Sequence, residues 1–228
     1  MATEEQFPHA ESPAEGLRSL LSQNPLVTAP RLLGAVFSHE TPAGRVSVRL
    51  TELEVYLGER DSAAPDPGSH AFRGSTTRNL PMYGPPGMLY VYFTYGLHHC
   101  ANIACGPEGQ AAAVLLRAGE VVTGHHLARS RRLAARTDRD LARGPARLAQ
   151  ALALTTEDSG KDALSGRYSL ELAPPSDISV HSGPRTGVSG PGGSGAYPWR
   201  FWIAADPTVS AYRAAKDRTR SERGSTAR

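Results

Sequence analysis

Residues 45–56 alternate apolar and polar side chains over a longer run than any other part of the chain, and this stretch constrains the fold most. Period-two alternation of this length specifies a β-strand. Val46, Val48 and Leu50 fall on one face, and unbroken alternation carries Glu52, Glu54 and Tyr56 onto that same face. An apolar face that turns acidic and then aromatic does not read as ordinary core. A second strand, over 89–95, holds Tyr90, Tyr92 and Tyr95 and runs into a turn at Gly96. A carboxylate among several aromatic rings suits a pocket that grips a flat, electron-poor ring and activates water beside it.

With 228 residues and no linker through its middle, the chain reads as one domain. At 39% hydrophobic it can bury a sizeable core. No apolar run approaches the roughly 20 residues of a membrane span, so no membrane association is expected. The N-terminus is acidic and polar, without a signal-peptide pattern, and Cys100 and Cys105 are the only cysteines. Both features agree with a reducing cytoplasm. The net charge of +3 is carried almost wholly by arginine, since Lys161 and Lys216 are the only lysines. Arginines crowd 129–147 and return over 213–228, a distribution that attracts phosphate or simply solvates helix faces.

Residues 1–15 read as a mobile tail, 16–212 as the folded domain and 213–228 as a basic C-terminal tail. Short helices are expected over 15–21 and 24–33, the second with Thr28 as its N-cap and Pro30 in its first turn. Strands are expected over 35–39 and 45–56. The long loop-rich segment 58–87 follows, of a length that is usually functional. A hairpin is expected over 89–105 around Gly96, then a strand over 112–118, a helix over 120–135 and another over 146–154. Late strands fall at 168–172 and 201–204, and the glycine-rich 187–195 between them reads as mobile. Strands in runs and hairpins, not in regular βαβ alternation, make this an α+β fold.

Glu54 is the best candidate acid or base, against the plainer reading of a surface carboxylate on an edge strand. Tyr56 and His70 are by default strand and loop residues. Arg73, Thr77 and Arg78 lie in a basic, hydroxyl-rich loop suited to a phosphate backbone or to a plain turn. Tyr90 and Tyr92 share a strand face, while Tyr95 has opposite parity and sits at the hairpin tip, where an exposed ring can wedge between bases. The histidines and cysteines match no zinc spacing, and no phosphate-binding or dinucleotide glycine motif is present.

An ordered series of segments resembles the alkyladenine (3-methyladenine) DNA glycosylase family. It runs through Arg31-Leu32-Leu33-Gly34, Glu52-Leu53-Glu54-Val55-Tyr56, Ser69-His70-Ala71, Thr77-Arg78-Asn79 and Met82-Tyr83-Gly84-Pro85-Pro86-Gly87. It continues through Leu89-Tyr90-Val91-Tyr92, Tyr95-Gly96, Cys100-Ala101-Asn102, Leu115-Leu116-Arg117-Ala118 and Gly144-Pro145, covering roughly residues 30–205. The resemblance implies a single mixed domain with a curved, mostly antiparallel sheet, packed helices and a DNA-penetrating β-hairpin. It makes Glu54 the general base for water and Arg117 the holder of that water or the nearby backbone. It makes Tyr56, His70 and Tyr92 stacking walls for a flipped base, Asn102 a discriminator against the amino group of guanine, and Tyr95 the residue that fills the gap in the duplex. The far wall should lie at residues 185–188.

The activity so implied is hydrolytic release of 3-methyladenine, 7-methylguanine and related purines such as hypoxanthine or ethenoadenine. The substrate is double-stranded DNA carrying damaged purines, and the enzyme is a monomer that works without a cofactor or metal, in the cytoplasm with the DNA (the nucleoid in a bacterium). A non-catalytic damage-binding protein, a nuclease and a single-strand RNA-binding module are the competing readings. The family's Glu-Thr-Glu-Ala-Tyr is Glu52-Leu53-Glu54-Val55-Tyr56 here, a change expected to alter packing and not chemistry.

Overall fold

The computed structural model describes residues 12–94, 96–174 and 177–215. Its centre is the long strand β2 (Gly44–Tyr56), which pairs from Ser47 to Tyr56 with β5 (Ala113–Thr123). The first half of β2 also pairs with β1 (Val36–Thr41), and residues 52–54 pair with β8 (Arg200–Ile203). β3 (Leu89–Thr94) and β4 (His98–Ala104) extend the sheet beyond β5; β6 (Tyr168–Glu171) adds to β1 and β7 (Val180–Gly183) to β8. Every pairing between these strands is antiparallel. With four α-helices among the described residues, the domain is α+β.

β2 changes neighbours where its alternation breaks. The β2–β5 register is irregular between Leu50 and Glu52 and again between Glu52 and Leu53. The break swaps the faces. Val46, Val48 and Leu50 lie in the main core, but so do Leu53, Val55 and Leu57. Glu52, Glu54 and Tyr56 therefore leave the apolar face instead of continuing it, which corrects the unbroken alternation expected from sequence. A bulge reverses side-chain parity at the cost of one or two ladder hydrogen bonds. Truncating a fully buried core residue of this strand, as in Leu53→Ala, removes about 2–5 kcal/mol.

Helix α1 (Pro13–Leu21) opens with a capping box in which Ser12 accepts from the Glu15 amide and Glu15 accepts from the Ser12 amide. It buries Leu17, Leu20 and Leu21. Helix α2 (Pro25–Arg31) is capped by Asn24, with Pro25 in its first turn. Thr28, expected as the cap, is instead buried mid-helix and donates to the Leu20 carbonyl. The helix expected over 120–135 is shorter. Residues 120–123 extend β5, and α3 covers only His125–Arg131, because Gly124 turns the chain with φ +76°. Helix α4 (Pro145–Leu152) packs on β4 and β5.

Several basic residues of the 129–147 cluster are structural. Arg131 donates to the Ala151 carbonyl, Arg132 to Leu141 and Gln150, and Arg143 to Val209. The 187–195 segment, expected to be mobile, packs down through a 3-10 turn at Pro191–Gly193. Gly192 is buried against Gly68, where a Cβ would lie 2.4 Å from the Gly68 nitrogen.

Candidate active site

Four adjacent strands present alternate residues to one cavity of about 720 Å³. β2 contributes Tyr56, β5 Leu115 and Arg117, β4 Cys100 and Asn102, and β3 Tyr90, Tyr92 and Thr94. The intervening residues of the same strands, among them Val55, Leu116, Ile103 and Val91, fill the core on the opposite face. The cavity is closed by His70 from the 58–87 loop and by residues 186–189 from the segment between β7 and β8.

Glu54 lies fully buried beneath this cavity. Its Oε1 accepts from the Thr186 amide at 2.7 Å, and its Oε2 accepts from the Tyr56 hydroxyl at 2.9 Å and from Arg117 at 3.4 Å. Burial raises its pKa, opposed first by the Arg117 charge and then by the Thr186 and Tyr56 hydrogen bonds. The Oε1 atom retains acceptor capacity for one more donor. Arg117 sits at the register break of β5, between Leu116, opposite Leu53, and Ala118, opposite Glu52. Its Nε donates to Glu52 at 2.7 Å. Glu52 is itself fully buried and accepts from Arg200 at 2.6 Å and from the Ser210 amide at 2.7 Å.

A second buried ion pair supports the far wall. Arg185 forms a two-point contact with Asp66 at 2.6 and 2.7 Å, donates to the Val55 and Gly192 carbonyls, and stacks 4.6 Å from the centre of the Tyr56 ring. The adjacent residue, Thr186, supplies the amide on Glu54. The three buried carboxylates Glu52, Glu54 and Asp66 are thus matched by three buried guanidiniums, Arg117, Arg185 and Arg200. Balanced charge of this kind holds a carboxylate ionised in a dry site, where an unpaired one would take up a proton.

The aromatic walls are fixed to one another. The His70 ring meets Tyr92 edge-on at 4.6 Å, and its Nδ1 lies 3.0 Å from the Tyr90 hydroxyl. His70 is exposed at the mouth of the cavity, yet desolvation of its covered side, and then the Arg78 charge, lower its pKa and favour the neutral ring. Tyr92 is held phenolic, since burial and then the facing Cys100 raise its pKa well above the ordinary value. Asn102 is buried and donates to the Tyr90 carbonyl.

Among the sequence candidates, Glu54, Tyr56, His70, Tyr92, Asn102 and Arg117 are brought together. Arg78 reaches the rim, 5.4 Å from the Tyr92 ring centre, and donates to the Phe93 carbonyl. Thr77 is exposed in the same loop, which buried Asn79 pins by donating to the His70 and Gly74 carbonyls. Arg73 lies apart, in a surface depression with Glu59, Arg60 and Asp61. Tyr95 lies outside the described residues. Its neighbours at the β3–β4 turn include Phe93 and Leu97, both exposed. Sequence reading gave no site role to Glu52, Tyr90 or Asp66, and placed a wall at 185–188 without the Thr186 amide contact. Tyr90 was legible as the facemate of Tyr92, whereas a backbone amide 132 residues from its acceptor leaves no sequence signal.

The methylpurine-DNA glycosylase family matches residues 19–207. The chain belongs to that family. Similar relatives, each provisionally named a 3-methyladenine DNA glycosylase, occur in Streptomyces avermitilis and Leifsonia xyli. The first is 53% identical over 89% of this chain and 94% of its own length. The second is 53% identical over 82% and 88%. A Nocardia farcinica relative with the same name is 48% identical over 83% and 88%.

Proposed function

We propose that this protein is a DNA base-excision repair enzyme that hydrolyses the N-glycosidic bond of alkylated purines, 3-methyladenine and 7-methylguanine first among them. The observation that carries the reading is Glu54, a buried carboxylate held by three donors directly beneath an aromatic cavity. The purine is flipped out of the duplex and lies between Tyr56, His70 and Tyr92. Glu54 takes a proton from the attacking water, whose oxygen bonds to C1′ as the bond from C1′ to the base nitrogen breaks. The bonding pair leaves with the base.

The transition state carries positive charge on the sugar, as in other glycoside hydrolyses. An ionised Glu54 stabilises that charge as well as the developing hydronium. A base alkylated on a ring nitrogen is already cationic, so it departs without an acid. Cation–π attraction to tyrosine faces favours it over a neutral base by about 0.5–2 kcal/mol. That margin is small against an excess of normal purines. The cheaper unstacking of damaged bases and exclusion by Asn102 supply the remainder. Tyr95, at the hairpin turn, fills the vacated stack, with exposed Phe93 and Leu97 flanking it.

The chemistry needs no cofactor, and the product is an intact strand bearing an abasic site. A strand-cleaving lyase needs an amine for a Schiff base; of this chain's two lysines, Lys161 is outside the cavity lining and Lys216 lies outside the described residues. The test is base release over a panel of lesion-bearing duplexes in EDTA, with borohydride present in a parallel series. Release of alkylpurines without a trapped protein–DNA adduct is expected. Absence of release from every lesion, or an adduct forming at the rate of release, contradicts the reading.

A further inference from the structure

After β8 the chain doubles back along the site as a strap. Asp206 pairs with Arg49 at 2.7 Å, Thr208 meets the Thr51 hydroxyl at 2.9 Å, and the Ser210 amide donates to Glu52 at 2.7 Å. The carbonyl of Arg213 then accepts from the Gly187 amide at 2.9 Å. These ties follow β2 toward the carboxylates and end at the cavity wall. Arg213, the first residue of the basic C-terminal tail, lines the cavity. It lies beyond residues 19–207, the part of the chain matched to the family.

The charges around it give Arg213 a role. The buried guanidiniums of the site are each paired with a buried carboxylate, so the floor carries no surplus charge. Arg213 is exposed and, among the described residues, forms no ion pair. An unmatched cation in the cavity would repel a cationic base. At the rim it meets something different, because a nucleotide turned out of the duplex brings its own phosphates to the mouth. Guanidinium binds phosphate oxygens through paired N–H donors.

We infer that Arg213 is a phosphate clamp for the extruded nucleotide, delivered to the rim by the 206–213 strap and holding one of the two phosphates that flank the lesion. This rests on the glycosylase reading. The clamp offsets the charge of the backbone at the rim and leaves the neutral floor to the base.

The test is single-turnover base release by the full chain on the lesion duplex that the wild-type protein processes fastest, over a salt series. Arg213→Gln is expected to raise the half-saturating protein concentration. It is also expected to make the slope of log affinity against log salt shallower by about 0.9, the value for one lost phosphate contact. The rate at saturation should stay within about twofold, a change of under half a kcal/mol by the rate relation, and Arg213→Lys should restore the salt slope. Methylphosphonate substitution of the two flanking phosphates one at a time should, at one of them, bring wild type down to the variant and leave the variant unchanged. An unchanged salt slope, or losses from variant and methylphosphonate that add, overturns the clamp while wild-type base release still stands. If wild type releases no base from any duplex, the glycosylase reading fails first, and the clamp with it.

Discussion

Glu54 shows how a single side chain can be both buried and ionisable. Burial raises its pKa above the usual 4.5, and Arg117 is the largest influence opposing that rise. Only the carboxylate form can take a proton from water, so base release should fall as pH drops through this raised pKa. Arg117→Gln removes the opposing cation and should raise the pKa further. The acid limb of the single-turnover pH profile is then expected to move to higher pH than in wild type. A limb that stays in place, with the variant still folded, would show that Arg117 does not tune Glu54. His70 is expected to contribute little to this limb, because its lowered pKa keeps it neutral over most of the range.

Two elements position these side chains, the bulged strand β2 and the segment 183–193 with its buried arginine. The strand was legible in its alternation, and so were the hairpin, Glu54 and the tyrosine walls. The bulge left a mark that was not read: the apolar residues shift from Val46, Val48 and Leu50 to Leu53 and Val55 across the polar pair Thr51-Glu52, where β8 replaces β1 as neighbour. Nor was the order of the 187–195 segment legible, since its glycines suggest freedom when read alone. Their use is close approach: Gly192 meets Gly68, and Arg185 holds both sides through Asp66 and the Gly192 carbonyl.

Asp66→Ala leaves Arg185 buried without its partner, and denaturant unfolding should show a loss of about 3–5 kcal/mol. A loss under about 1 kcal/mol would mean that water or another acceptor replaces Asp66, because surface pairs are worth that little. The hairpin carries a separate expectation. Tyr95→Ser should slow excision more on duplex than on single-stranded substrate, since only the duplex has a stack to fill. Equal rates for variant and wild type on duplex would remove the wedge role.

Across the whole molecule, one sheet separates two environments. Its core face is apolar and covered by helices, and its other face is a charge-balanced aromatic cavity. The register break in β2 lets a single strand supply both, with Leu53 and Val55 to the core, Tyr56 to the cavity lining and Glu52 and Glu54 buried on that same side. Family membership supports a DNA glycosylase, and the proposed mechanism makes Glu54 the group that turns binding into chemistry. The most direct measurement pairs lesion-duplex affinity with single-turnover base release for Glu54→Gln. Affinity should stay within a few fold of wild type while release falls by about 10²–10⁴, the usual effect of losing a general base. Near-normal release by this variant would contradict the assignment of Glu54 and the account built on it.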